Sequence, residues 1–390
     1  MARGSLLASL LIAQLIILNC EGININEVPF TSVADAIPER AVCIDGSPAG
    51  YHHDLGFGDG VNNWIIYLMG GGWCNNYLTC QQRRKSPLGS TKNIKPTNFG
   101  GILSPNRGIN PDFFNWNRVH VHYCDGSSFI GDTAVIHLGP HLQLRGSRIF
   151  RAITNELLEK GMKNAKNALL VGGSAGGLSA ILNCDNFRAN LGNVSRVKCV
   201  SDAGFFIRAK NVPYAGKRER RFNSVVRFHN LASFLPKLCT SRMRSGLCLF
   251  PENLVEDIQT PLFLINSVFD RVQITRNLKP RELRDIKGWK NCTKDLSKCT
   301  HPQRKLIKDF GKAFHETLMN IGDNPSRGLF IHACYAHTYM ESNEFWNSSG
   351  SPKLGNKTIS HAVGDWYFDR RVVKLIDTNT DFPFNCLAYD

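Results

Sequence analysis

Residues 168–178 read ALLVGGSAGGL, an apolar run that passes straight into Gly172, Gly173, Ser174, Ala175 and Gly176 and then into further small and apolar residues. A short apolar run that enters glycine reads as a buried strand about to turn, and the small residues beyond it allow a helix to start close to the sheet. The stretch is G-x-S-x-G in the order strand, tight turn, helix, the setting that projects a serine hydroxyl above a sheet edge. The plainer reading is a glycine-rich loop that only turns the chain.

Working outward, further short apolar runs stand at 64–68 (WIIYL), 119–123 (VHVHY), 198–201 (KCVS), 262–266 (LFLIN) and 329–333 (LFIHA). Residues 147–160 place Ile149, Ile153, Leu157 and Leu158 on one helical face, and Gly161 follows as a stop. Strands alternating with helices predict an α/β fold with a mostly parallel central sheet, whose ligands gather at the carboxyl ends of the strands. No linker rich in Pro, Gly or Ser and no internal repeat divides the chain, so 23–390 is expected to be one domain with inserted loops.

A serine nucleophile needs a base, and the base needs an acid to fix its tautomer. In this kind of fold the chain order is Ser, Asp or Glu, His. Asp270 ends the strand-like segment 261–270 (PLFLINSVFD), and His337 follows 329–336 (LFIHACYA). Asp202, at the end of 198–202 (KCVSD), is the rival acid, while His332 within its apolar run reads as a core histidine and His361 is a second downstream histidine. The strand at 64–68 breaks after Met69 into Gly70-Gly71-Gly72-Trp73, so the N–H groups of Gly72, Trp73 and Ala175 are candidate donors to a developing oxyanion.

The N-terminus carries Arg3 and then thirteen uncharged residues, 6–18 (LLASLLIAQLIIL), the layout of a secretory signal peptide and too short for a comfortable membrane span. Residues 1–22 are expected to be removed, by cleavage between Cys20 and Ile23, giving a secreted protein with no membrane segment. Loss of Cys20 leaves twelve of the thirteen cysteines for an oxidising compartment. Three pairs are close enough to be local staples: Cys74 with Cys80, Cys239 with Cys248, and Cys292 with Cys299. No CxxC pair occurs and the histidines do not cluster at ligand spacing, so neither a metal nor another cofactor is expected. Sequons at Asn193, Asn291, Asn347 and Asn356 are candidate glycosylation sites.

Lys and Arg number 47 against 32 Asp and Glu, a formal net charge of +15 that suits a polyanionic partner. The basic runs at 81–85, 217–221 and 276–290 would ordinarily be solvated loops. No nucleic-acid module signature accompanies them, which turns the charge argument toward an anionic polysaccharide.

The motifs together resemble the plant pectin acetylesterase family, whose animal relatives are the Notum carboxylesterases. The resemblance runs from about Val28 to Cys386 through AVCIDGSPAGYHHDLGFGDGVNNW, GGGWCNN, YCDGSSFIGD, KNALLVGGSAGGLSAILNCD, VSDAGFF and VGDWYFDRR. It implies an α/β-hydrolase fold, a triad of Ser174, Asp270 and His337 with Asp202 left as a structural or site-wall residue, and hydrolysis of acetyl esters on homogalacturonan of the cell wall; the protein is expected to be a monomer. A Notum-like protein O-deacylase and a wall-binding glycoprotein without turnover are the alternatives. Plant members usually read Gly-Cys-Ser-Ala-Gly-Gly at the elbow, Ala-His-Cys-Gln at the histidine, and Glu before the triple glycine. This chain has Gly173, Thr338-Tyr339 and Met69 there. A family disulfide beside the site is therefore expected to be missing.

Overall fold

The computed structural model describes residues 27–136, 139–192, 196–214, 216–278, 283–383 and 386, so the expected leader and Asn193 lie outside the described residues. The run at 168–171 is the heart of a strand, Asn167–Gly173, at the centre of a nine-stranded sheet. In chain order the strands of that sheet are β1 (Phe30–Ser32), β2 (Gly50–Asp54), β3 (Asn63–Leu68), β4 (Asn117–Val121), β5 (Asn167–Gly173), β6 (Arg196–Asp202), β7 (Leu262–Ser267), β8 (Gly328–His332) and β9 (Lys374–Ile376). Their spatial order is β9-β8-β7-β6-β5-β3-β4-β2-β1. All neighbours from β9 to β4 pair in parallel, and only β2 on β4 and β1 on β2 are antiparallel. This is the α/β-hydrolase-like, mostly parallel sheet expected from the sequence.

The central strands are apolar on both faces because both faces are covered, as parallel sheets require. Along β3, Ile66 and Leu68 join the larger apolar cluster on one side, whereas Ile65 and Tyr67 join the cluster on the other. Helices α2 (Gly146–Glu159) and α3 (Ala175–Asn190) pack on the first face. Ile149, Ile153 and Leu157 of α2 are buried there, Leu158 is partly so, and Gly161 just beyond the helix takes a φ of +114°. The opposite face is capped by Ile359, Ala362, Val363 and Trp366 of a later helix, Ile359–Tyr367.

Six disulfides join all twelve cysteines beyond Cys20. They include the three expected local pairs, Cys74–Cys80, Cys239–Cys248 and Cys292–Cys299. The other three, Cys43–Cys124, Cys184–Cys199 and Cys334–Cys386, close longer loops. Among the described residues no helix is long and apolar enough to cross a membrane.

The basic runs depart from the sequence expectation. Residues 81–85 fall in and just after helix α1 (Tyr77–Arg84), and 217–221 belong to helix α4 (Gly216–Phe228). Arg218 is 5% exposed, and Arg83 and Arg221 are half-buried against the backbone of the glycine loop. Helical periodicity turns every third or fourth residue of a charged run inward, so a run on a helix cannot be wholly solvated when one side packs on the core.

Candidate active site

Ser174 sits at φ +57°, ψ −119°, between the end of β5 and the first turn of α3. That backbone conformation is costly for a residue with a Cβ. Its neighbours are held close: a Cβ on Gly172 would collide with the carbonyl of Gly176, and one on Gly70 would collide with the carbonyl of Gly173 and approach the Cβ of Ser174. The turn is thus tight enough to aim the serine out of the sheet only because these positions lack side chains.

His337 comes from the loop after β8 and Asp270 from the loop after β7, so all three groups meet at the carboxyl edge of the sheet. His337 Nε2 lies 2.8 Å from Ser174 Oγ, and His337 Nδ1 lies 2.7 Å from Asp270 Oδ2. Asp270 is fully buried, and its other oxygen caps helix α5 (Arg271–Asn277) by accepting the Gln273 N–H at 2.8 Å. The carboxylate is therefore fixed from both sides. With Nδ1 tied to a carboxylate, Nε2 is free to accept the serine proton, which is the chemistry of nucleophilic acyl transfer.

The rival groups stand elsewhere. Asp202 ends β6, is fully buried, and spends Oδ2 on the N–H groups of Tyr339 and Met340, at 2.6 and 2.9 Å. Burial raises its pKa to about 7, against the pull of those two hydrogen bonds and of His337. It orders the chain just after His337. His332 is buried in β8, where desolvation lowers its pKa to about 3, and its Nδ1 accepts the Cys334 N–H. His361 pairs with Thr358 on the far face of the sheet, in the turn that opens the helix packed there.

The glycine loop after β3 lines one side of a pocket of about 390 Å³, with Ser174 and His337 on the other. Three of its carbonyls are engaged. Gly71 O and Gly72 O accept from the Arg83 guanidinium, Gly72 O also accepts the Tyr123 hydroxyl at 2.8 Å, and Trp73 O accepts from Arg221 at 3.0 Å. In a trans peptide the next N–H points opposite to the carbonyl. Drawing the carbonyls of Gly71 and Gly72 toward Arg83 and Tyr123 therefore turns the N–H groups of Gly72 and Trp73 away from them, and neither makes an intramolecular hydrogen bond among the described residues. Ala175 occupies the first position of α3, where helical N–H groups have no partner within the helix. The arginines that aim this loop escaped sequence reading. Arg221 meets a carbonyl 148 residues away along the chain, beyond any local signal, whereas Arg83 stands only 12 residues from Gly71.

The Cys74, Cys80 and His229 side chains lie close together, but the two sulfurs form a disulfide and His229 Nε2 faces the Cys74 carbonyl at 2.8 Å, so this group offers no thiolate to a metal. Asn291 and Asn356 are exposed. Asn347 is half-buried, and its Nδ2, the atom a glycan would occupy, donates to the Gly108 carbonyl at 3.2 Å. Gly173 and Thr338 are neighbours: a Cβ on Gly173 would lie 3.4 Å from Thr338 Cγ2.

The sequence profile described as Pectinacetylesterase matches residues 23–387. The chain belongs to the pectinacetylesterase family. Membership makes it a carboxylic ester hydrolase. Among curated relatives it is 43% identical to "Pectin acetylesterase 7" of Arabidopsis thaliana over 366 residues, with 94% of each chain covered, and 41% identical to "Pectin acetylesterase 11" of the same plant, with 96% and 95% covered. The fold is shared with the crystal structure of the Wnt deacylase Notum from Drosophila, at a TM-score of 0.76 and 23% identity over 92% of this chain and 97% of that one.

Proposed function

We propose that this member of the pectinacetylesterase family hydrolyses acetyl esters on the homogalacturonan of pectin, as a secreted cell-wall enzyme, with Ser174 as nucleophile, His337 as base and Asp270 as the acid that holds it. The reading rests on the unbroken chain of hydrogen bonds from Asp270 through His337 to Ser174 at the wall of a pocket. Ser174 Oγ attacks the acetyl carbonyl as its proton passes to His337 Nε2. The tetrahedral oxyanion is received by the N–H groups of Gly72, Trp73 and Ala175, each such donor contributing about 3 kcal/mol to the barrier reduction. His337 then protonates the departing sugar oxygen and the ester C–O bond breaks. A water molecule, deprotonated by His337, cleaves the acetyl-serine and releases acetate. Six disulfides and the apolar leader expected at 1–22 support an exported protein.

A fatty acyl substrate fits this pocket less well. Met69, Trp73, Leu88, Phe206 and Val272 supply apolar wall enough for an acetyl methyl, but Arg218, Arg221, Arg276 and Glu341 share the lining. The test is acetate release from acetylated homogalacturonan against acetylated xylan, repeated at 1 M salt. Preference for the galacturonan that fades with salt, as the Debye length falls from about 10 to about 3 Å, is the expected result. Equal rates on both polymers, or release from neither while a small acetyl ester is cleaved, would overturn the substrate assignment.

A further inference from the structure

The pocket beside Ser174 holds an unusual surplus of positive charge. Arg218, Arg221 and Arg276 line it, and Arg83 lies directly behind its glycine wall. None of the four forms an ion pair among the described residues, although eighteen other pairs of a basic with an acidic side chain, apart from His337–Asp270, occur in the same chain. Glu341, the acidic side chain of the lining, is already engaged by Tyr67 and His120. Uncompensated like charges gathered in a concave site cost stability, and they are kept where an anion is to be received.

Their hydrogen bonds divide the labour. Arg218 is buried and bonded to Gln273 and to the Ile207 carbonyl. Arg83 and Arg221 are committed to the carbonyls of the glycine loop. Burial lowers the pKa of Arg221, and its neighbours Arg276 and Arg83 lower it further, which marks how closely the three cations crowd. Arg276 alone holds nothing: it is exposed, makes no hydrogen bond or ion pair among the described residues, and sets Nη1 3.3 Å from the point where a Cβ on Gly72 would stand. It lies in the last turn of α5, the helix whose N-cap is Asp270. A rise of 1.5 Å per residue puts its backbone about 9 Å along the helix from that acid. One short, capped helix thus fixes the spacing between the acid beside His337 and the free guanidinium.

We propose that Arg276, backed by the charge of Arg221, binds the carboxylate of a uronate at the reacting end of the substrate and so makes the pocket selective for esters on acidic sugars. The proposal rests on the pectin reading above and deepens it from a general attraction by the basic surface to a single subsite. A guanidinium matches a carboxylate through two parallel N–H···O bonds, which an ammonium cannot reproduce.

The test compares kcat/KM on an acetylated oligogalacturonate with that on the same oligomer after methyl esterification of its carboxyl groups, for the wild type, Arg276→Gln and Arg276→Lys. The free-acid preference of the wild type should fall about 10- to 100-fold in Arg276→Gln, chiefly through KM, with Arg276→Lys between the two, the range expected for a lost charge-assisted hydrogen bond. A free-acid preference that is absent in the wild type, or that survives Arg276→Gln within twofold, overturns the subsite while leaving the pectin reading standing. A wild type that cleaves p-nitrophenyl acetate but neither oligomer overturns both.

Discussion

The Ser174 N–H donates to the Asp202 carbonyl at 2.8 Å, while the Asp202 carboxylate, on the same residue, holds the N–H groups of Tyr339 and Met340. One residue at the end of β6 thereby anchors the backbone of the serine and of the segment that follows the histidine, without touching the imidazole itself. The relationship explains how an aspartate can sit at the right place in chain order and still not be the carboxylate that meets the imidazole.

Asp270→Asn and His337→Ala should each lower kcat by several powers of ten, nearly as much as removal of the serine, because the three act as a unit. Asp202→Asn keeps an oxygen for the two backbone donors and should retain most of the turnover. Steady-state kinetics on a small acetyl ester decides the matter, and the reverse ranking in folded variants would reassign the acid.

Ser174→Ala should abolish ester turnover. Among the described residues the hydroxyl bonds only to His337, so the melting midpoint should stay close to that of the wild type. Residual activity above about a tenth would exclude Ser174 as nucleophile.

Asp202 also predicts a pH effect on stability. Its folded pKa, about 7, stands above the unfolded value near 3.8, so the folded state holds a proton between those limits that the unfolded state has lost. Stability contributed by the protonated form is present in full below about pH 4 and declines as pH rises to about 7, after which it is level. Denaturant titrations from pH 4.5 to 7.5 should show that decline in the wild type and a flatter profile in Asp202→Asn. Parallel profiles would mean that Asp202 does not titrate in this window.

Gly173→Ala should cost about 1–3 kcal/mol of stability, the range for overpacking a filled interior, because the new methyl would strike the Tyr67 hydroxyl. Tyr67→Phe removes that oxygen and leaves the ring carbon at 3.5 Å, an ordinary contact. The double variant should therefore recover much of what Gly173→Ala loses, even though Tyr67→Phe by itself forfeits the 2.8 Å hydrogen bond to Glu341. Simple additivity of the two losses would show that the clash is not the cause.

The sequence by itself determined the strand, turn and helix around Ser174, the parallel sheet and three local disulfides. These are legible because apolar runs, glycine and close cysteine spacing act over a few residues, where backbone sterics and burial leave few choices. Whether Asp270 or Asp202 faces the imidazole was left open by the residues themselves and pointed to Asp270 only through resemblance, since each follows an apolar run in the sequence. Tertiary structure decided between them, because the two strands differ in where the loop beyond each one carries the chain. It also turned Arg83 and Arg221 from expected solvated charge into anchors of the glycine loop. Helical packing set which members of each basic run face inward: Arg83 meets a carbonyl 12 residues away along the chain and Arg221 one 148 residues away. The free guanidinium of Arg276 belongs to the same class of fact: a charge becomes a site only when folding has shown which of its neighbours are already spent.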